Sequence, residues 1–285
     1  MIWLEILFGV IAALLVLFLL YALVLVRPRM SMRRFFYEND KALFTDYAHR
    51  GLHGSGIPEN SLAAFAKAAG NGHGIELDLQ LSSDGQVMVF HDYSLKRMTG
   101  CDRLLAELTA DELRELRLGD TDEKIPFFTE VLELISGRVP MLIELKGENA
   151  DTSVCSAAFE LLKDYTGEYC VESFNPFLLR WFRKNASPIM RGILVTNVSK
   201  EKKKHNPLNF ALGNMLTNAL ARPDFIAYDV RYRNRLGVDL CTKFWGAPAF
   251  AWTVRVEGSY YLAREYGAYV IFEGIKPEED DRPQI

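Results

Sequence analysis

From Tyr47 onward, short apolar runs alternate with longer stretches of helical periodicity, and that rhythm predicts the fold. Eight runs read as strands: Tyr47 to His49, Gly74 to Leu81 with an extension at Val87 to Phe90, Met141 to Leu145, Tyr169 to Phe174, Ile189 to Val195, Phe225 to Asp229, Ala249 to Val254, and Tyr269 to Phe272. Helical patterns fall between them at Leu62 to Ala69, with Asn60 or Ser61 as N-cap, and at Phe128 to Ile135, Ser153 to Asp164, Pro176 to Lys184 and Ser259 to Tyr266. Such alternation implies parallel strands, and its spacing suits an α/β fold of the TIM (β/α)8 barrel type, about 240 residues long. An open doubly wound sheet is the alternative, but no G-x-G-x-x-G follows a strand.

Two stretches exceed simple connections. Residues 92–138 form a turn-rich insertion after the second strand, with a helix expected at Ala110 to Leu116. Residues 197–222 begin with Lys200, Lys202, Lys203 and Lys204 and continue through Phe210, Leu212, Met215, Leu216 and Leu220; that amphipathic pattern covers a barrel or, less commonly, meets lipid.

Ahead of the barrel pattern lies an uncharged apolar run from Ile6 to Val26, about 21 residues and hence roughly 30 Å as a helix, the thickness of a bilayer's hydrocarbon. It reads as a single transmembrane helix rather than a signal peptide, because no Lys or Arg precedes it and no small-x-small site follows. Only Glu5 is charged before it, whereas Arg27, Arg29, Arg33 and Arg34 follow, which predicts a single-pass cell-membrane protein with its barrel domain in the cytoplasm. The expected organisation is a transmembrane helix at 1–26, a juxtamembrane linker at 27–46 near the lipid interface, a barrel at 47–277 and an acidic tail at 278–285.

Composition changes little in this picture. Hydrophobic residues make up 49% of 285 and aromatics 12%, enough for a real core beyond the apolar run. The four cysteines are widely spaced without a C-x-x-C pair, as in reduced buried thiols, and do not suggest zinc. Net charge is −4 with no basic stripe interleaved with aromatics, so nucleic acid is not expected as a partner.

Chemistry concentrates at strand ends. In Gly74 to Leu81, period two puts Glu76 and Asp78 on one face, where buried unpaired carboxylates are costly and a cation is the simplest partner. His49 and Arg50 end the first strand, His91 follows the extension of the second, and Glu144 with Lys146 ends the third, all at the mouth where a barrel carries its active residues. Taken singly, each has a structural reading: Glu144 pairs with Lys146, and a histidine ending a strand is hydrogen-bonded. Three acids, two histidines and two cations at the same ends of three strands argue for one site instead. Oxygen ligands without cysteine suit Mg²⁺ or Ca²⁺. A divalent ion, two cations for developing phosphoryl charge and two histidines as acid and base are what phosphodiester cleavage requires.

These residues also resemble a known family, the glycerophosphodiester phosphodiesterases. The matching positions are H-R-G at His49 to Gly51, P-E-N-S at Pro58 to Ser61, Phe65, I-E-x-D at Ile75 to Asp78, D-G at Asp84 and Gly85, H-D at His91 and Asp92, I-P at Ile125 and Pro126, I-E-L-K at Ile143 to Lys146, S-F-N-P at Ser173 to Pro176 and W-T-V at Trp252 to Val254. The resemblance implies a TIM barrel in which Glu76, Asp78 and Glu144 hold the metal, His49 and His91 are acid and base, and Arg50 and Lys146 contact phosphate. It further implies attack by a neighbouring glycerol hydroxyl and a cyclic phosphate that water opens. Phe174 and Trp252 resemble pocket aromatics, with core packing an equal reading of each. Glu172 reads as another metal-side carboxylate or, the favoured expectation, as a salt-bridge partner, and His53 is expected in solvent. The last strand departs from the family's T-D before proline, reading F-E-G-I-K-P with Glu273 and Gly274.

The expected activity is metal-dependent hydrolysis of a small-molecule or lipid-derived glycerophosphodiester to an alcohol and glycerol phosphate. Its alternatives are a lysophospholipase D type activity and a catalytically inactive membrane-bound scaffold.

Overall fold

A computed structural model describes residues 2–29 and 41–275. Strands β1 (Tyr47–Ala48), β2 (Gly74–Leu81), β3 (Val87–Val89), β4 (Met141–Leu145), β5 (Tyr169–Ser173), β6 (Arg191–Val195), β7 (Phe225–Asp229), β8 (Ala249–Val254) and β9 (Tyr269–Phe272) form one sheet. All neighbours are parallel except β3, and β1 closes the barrel by pairing with both β2 and β9. The chain is therefore an eight-stranded parallel barrel with helices outside it. The stretch expected to extend the second strand instead folds back on it as β3, with Leu79 opposite Val89.

Period two divides the strands between two cores. Ile75, Leu77 and Leu79 point outward and pack with Phe65, Ala68, Phe128 and Val131 of the surrounding helices. Inside, Tyr47, Leu142, Cys170, Phe225, Phe250 and Tyr269 fill the lower lumen, and Leu43 and Phe44 plug its base, where the Tyr47 hydroxyl donates to the Leu43 carbonyl at 2.8 Å. The lumen is thus packed solid below and polar only at its mouth. Gly192 on β6 makes room for this packing, because a Cβ there would fall 1.9 Å from the Phe225 ring.

Residues 92–138 carry a small core of their own, with Leu95, Leu105, Leu113 and Ile125 packed on Met88 and Phe90. The helix Ala110–Arg114 lies within it, two residues shorter than its pattern suggested. Residues 197–222 break into three short helices, Val198–Glu201, Pro207–Gly213 and Asn218–Ala221.

The N-terminal helix, Ile2–Leu20 with a π-helical turn at Tyr21–Leu25, has a mean hydropathy of 3.0 and the length and composition to cross a membrane. Its last turn is seated on the barrel. Val26 is fully buried, and the carbonyls that a helix C-terminus leaves unpaired are taken by barrel side chains: Trp245 Nε1 donates to Ala22 O at 2.9 Å, Arg222 Nη1 to Val24 O at 3.1 Å, and Asn218 Nδ2 to Val26 O at 3.0 Å. Arg29 continues the attachment, donating to Ser187 O at 2.6 Å. Most of the expected linker, including Arg33 and Arg34, and the tail at 278–285 lie outside the described residues.

Replacing Gly192 by Ala is expected to destabilise the barrel by about 1–3 kcal/mol, since the new methyl must displace the Phe225 ring from a filled lumen. Denaturant unfolding in detergent should show a lower midpoint with an unchanged slope; an unchanged midpoint would mean that the lumen has slack.

Candidate active site

The site begins with register. Asp78 on β2 lies opposite Glu144 on β4, and Glu144 lies opposite Glu172 on β5, so three adjacent strands set three carboxylates side by side. Glu76, two residues before Asp78, shares their face. All four are buried, and Glu76, Asp78 and Glu144 offer oxygens within 4.8 Å of one another.

Their protonation follows from that crowding. Burial, then the charges of Asp78 and Glu144, push the Glu76 carboxyl well above its ordinary range. Burial and the neighbouring Glu76 and Glu144 do the same to Glu172. Burial also raises Glu144, to about 7 against the pull of Lys146. For Asp78 burial is outweighed by Lys146, His91 and Arg50, which hold it well below the usual carboxylate range. The expected Glu144–Lys146 pair exists at 2.7 Å, but Lys146 also reaches Asp78 at 2.9 Å and so bridges two of the acids. Glu172 does not form the salt bridge expected of it: no ion pair reaches it among the described residues, and its Oε2 is buried without a hydrogen-bond partner. An all-oxygen set of buried acids, partly protonated and with one oxygen unpartnered, fits a hard divalent cation.

The loop after β1 delivers His49 and Arg50. Here β1 ends at Ala48, one residue before its expected end, because Arg50 turns into the left-handed region at φ 54°. Gly51 follows at φ 78°, where a Cβ would lie 2.8 Å from Ala64, so the H-R-G glycine permits the loop to touch the next helix. The Arg50 backbone N–H donates to Glu76 Oε2 at 2.9 Å, and its side chain lies 3.5 Å from Asp78 and 2.7 Å from Glu59. Ser61 caps the helix Leu62–Gly70, and Asn60 instead donates to Asp78 Oδ2 at 2.8 Å.

Each histidine has a carboxylate at Nδ1. His49 meets Glu273 at 2.8 Å and His91 meets Asp92 at 2.6 Å, which favours the Nδ1–H tautomer and leaves each Nε2 as the exchangeable position. Burial dominates both rings, lowering His91 and taking His49 to about 4 even though Glu273 pulls the other way. Arg255 donates to the same Glu273 carboxylate at 2.9 Å, and Arg97 joins Asp92 at 2.5 Å and Glu59 at 2.6 Å. Arg97 belongs to residues 92–138, so the insertion braces His91 through Asp92. Gln80 adds donors to the carbonyls of Phe90 and Asp92, both at 2.8 Å.

Glu59, Asp92, Arg97 and Glu273 were not singled out in the sequence as working residues, although P-E-N-S and H-D contain two of them. The atypical last strand thus supplies the His49 partner. His53, expected in solvent, is half-buried beside His49 and Glu273.

A cavity of about 550 Å³ opens from this cluster, lined by Lys146, Phe174, Phe177, Ile193, Leu208 and Trp252. Phe174 and Trp252 meet edge to face with centroids 5.5 Å apart, and Trp252 Nε1 donates to Ala227 O at 2.9 Å. The two rings pack on the lumen core and also line the cavity.

Fold and site together define a (β/α)8 barrel with a buried acidic cluster and two carboxylate-held histidines at its mouth. Residues 49–273 match the model of the glycerophosphoryl diester phosphodiesterase family, and the chain belongs to that family. It is 34% identical over 158 residues to a glycerophosphodiester phosphodiesterase of Caldanaerobacter subterraneus subsp. tengcongensis, a match covering 52% of this chain and 65% of that protein. Against glycerophosphodiester phosphodiesterase 1 of Bos taurus it is 27% identical, covering 81% of this chain and 79% of the other. Among solved structures, an Oleispira antarctica phosphodiesterase in complex with the product sn-glycerol-3-phosphate superposes with a TM-score of 0.67 at 26% identity, covering 80% of this chain and 92% of that one. A Thermotoga maritima glycerophosphodiester phosphodiesterase gives 0.62 at 28% identity, covering 80% and 94%. The matches to the Caldanaerobacter protein and to a Bacillus altitudinis relative span 65% and 45% of those proteins' lengths.

Replacing Glu273 by Gln removes the carboxylate that stabilises the His49 imidazolium. The His49 pKa is therefore expected to fall below its value of about 4. NMR titration of histidine-labelled protein reads this directly, and a pKa that stays put or rises would dissolve the pairing.

Proposed function

We propose that the protein hydrolyses glycerophosphodiesters to an alcohol and glycerol phosphate with a divalent cation, Mg²⁺ or Ca²⁺, held by Glu76, Asp78 and Glu144. The observation that carries this reading is the pair of histidines, each held at Nδ1 by its own carboxylate, flanking a buried acidic cluster. The product sn-glycerol-3-phosphate of the Oleispira antarctica neighbour suits a site of this kind.

When bound, the cation supplies Lewis acidity toward a phosphoryl oxygen. Arg50 and Lys146 compensate charge growing on the phosphate, a role supported by their positions, Arg50 beside Asp78 and Lys146 between Asp78 and Glu144. One histidine takes the proton of the neighbouring glycerol hydroxyl as that oxygen attacks phosphorus, and the other protonates the departing alcohol oxygen. The roles then reverse as water opens the cyclic phosphate. Glu273 and Asp92 keep both rings oriented through the cycle, and Phe174 and Trp252 bound the space for the departing group. A lowered pKa favours the neutral ring that the base requires, whereas the histidine acting as acid enters the step with Nε2 protonated, an imidazolium stabilised by its Nδ1 carboxylate.

The N-terminal helix is read as a single membrane span, supported by its length, its hydropathy and its exposed surface. The same reading puts the barrel in the cytoplasm, supported by Arg27 and Arg29 after the helix and the preference of basic residues for that side. The apolar wall of the cavity at Phe177, Ile193 and Leu208 supports a second reading, a lysophospholipase D type activity on lipids with one acyl chain.

Purified protein should release headgroup alcohol from glycerophosphocholine with Mg²⁺ or Ca²⁺, and stop when the cation is chelated. His91→Ala should lower kcat by at least about 100-fold, the scale of general acid–base catalysis. Cleavage of lysophosphatidylcholine alone would transfer the assignment to the second reading. A lack of cleavage of either substrate would leave an inactive scaffold.

A further inference from the structure

The N-terminal helix meets the barrel at one end, and its contacts fix the direction in which it leaves. Arg29 lies against Ser187 and Asp224, which precede β6 and β7 at the closed base of the barrel. Trp245 and Arg222, just ahead of β8 and β7, cap the carbonyls of Ala22 and Val24. Helix carbonyls point toward the C-terminus, so these caps lie on the base side. Tyr21 points the other way, as side chains tilt toward a helix N-terminus. Its hydroxyl donates to Asn214 O at 3.1 Å and lies against Gly237. Those two residues are at mouth level: Gly213 is beside Thr196 at the end of β6, and Gly237 follows the loop after β7. From Arg29 to Tyr21 the chain therefore climbs from base to mouth, and Ile2–Leu20, with no buried residue, continues past the mouth.

The surface beside that exit is unusual. Phe210 is 61% exposed, Leu208 62% and Leu236 56%. Phe210 is four residues before Asn214 and Leu236 adjoins Gly237, so both flank the Tyr21 contact. The helix Pro207–Gly213 that shows Phe210 to solvent turns Leu208 and Leu212 toward the catalytic cavity. Exposed Lys202, Lys203 and Lys204 lead into it. Apolar side chains bordered by lysines and continuous with a membrane-length helix suit the boundary between anionic headgroups and acyl chains.

We propose that the anchor holds the barrel mouth-down on the leaflet, with Phe210 and Leu236 in the interface, so that the site works on phosphodiesters presented by a lipid surface. This rests on the membrane-span reading above and selects amphiphilic substrates whose headgroup reaches Lys146 while an apolar tail lies along Leu208 and Leu212.

The test uses the full chain in vesicles of phosphatidylcholine and phosphatidylglycerol, with and without brominated acyl chains. Tryptophan is placed at Phe210 in one variant and, at the base, at Phe244 in another; Phe244 is 63% exposed and gives a matched control. After subtraction of the parent signal, Phe210→Trp should lose most of its added emission in brominated vesicles and Phe244→Trp little. Stronger or equal quenching at Phe244→Trp, or none at either, overturns the orientation whether or not the protein is active. The double variant Phe210→Ser and Leu236→Ser should hydrolyse soluble glycerophosphocholine as the parent does. It should lose about tenfold on lysophosphatidylcholine in the vesicles, a loss within the scale of one anchoring side chain. Unchanged rates on both substrates count against the proposal, whereas no cleavage by the parent refutes the hydrolase and leaves the quenching to decide the surface.

Discussion

Everything at the barrel mouth depends on the crowding of carboxylates that strand register imposes. Parallel pairing sets Asp78, Glu144 and Glu172 on one level, and period two adds Glu76 from the same face. Like charges in a low-dielectric interior oppose one another strongly, so the cluster holds protons, recruits Lys146 and Arg50, or takes a cation. Each neighbouring feature answers that strain. Arg50 adopts a left-handed backbone to bring its N–H to Glu76, and Asn60 gives up the helix cap to Ser61 and donates to Asp78. The packed lower lumen gives the acids no water from below.

A second set of charges serves the histidines. The path Asp92, Arg97, Glu59, Arg50 and Asp78 is continuous in the structure, and it joins the ring partner of His91 to the acidic cluster. On the other side Glu273 is shared by His49 and Arg255. The insertion after β2 and the atypical last strand, which look peripheral in the chain, therefore both end at an imidazole of the site. In the proposed orientation, the direction in which the N-terminal helix leaves the barrel decides what the apolar-walled mouth faces.

Much of this was legible in the sequence because it is carried by period. The strands β2, β4, β7, β8 and β9 have the limits their apolar runs suggest, and the same alternation separated Glu76, Asp78 and Glu144 from the outward core. Period does not report reversals, so the Val87 run looked like an extension of β2 when it is its antiparallel partner. Nor does it report contacts distant in the chain. Glu273 and His49 are 224 residues apart, and only closure of β9 onto β1 brings them together. Glu172 showed the same pattern as Glu144, but a salt bridge was the ordinary expectation for an isolated strand carboxylate, and only β4–β5 register reveals that its neighbour is another acid. The seating of Val26 between Asn218 and Cys241 had no sequence signal, since a buried helix end and a membrane-embedded one are equally apolar.

The central claim is that these carboxylates are gathered for a cation at some expense to the stability of the fold. Thermal unfolding of the full chain with chelator, and then with saturating Mg²⁺ or Ca²⁺ near neutral pH, tests it most directly. The account predicts a rise in midpoint of about 5 °C or more on adding the cation. It also predicts that Glu144→Gln, which removes one crowded charge, keeps or improves the midpoint in chelator while losing the response. A parent protein indifferent to both cations, or a Glu144→Gln variant that still responds in full, would contradict it.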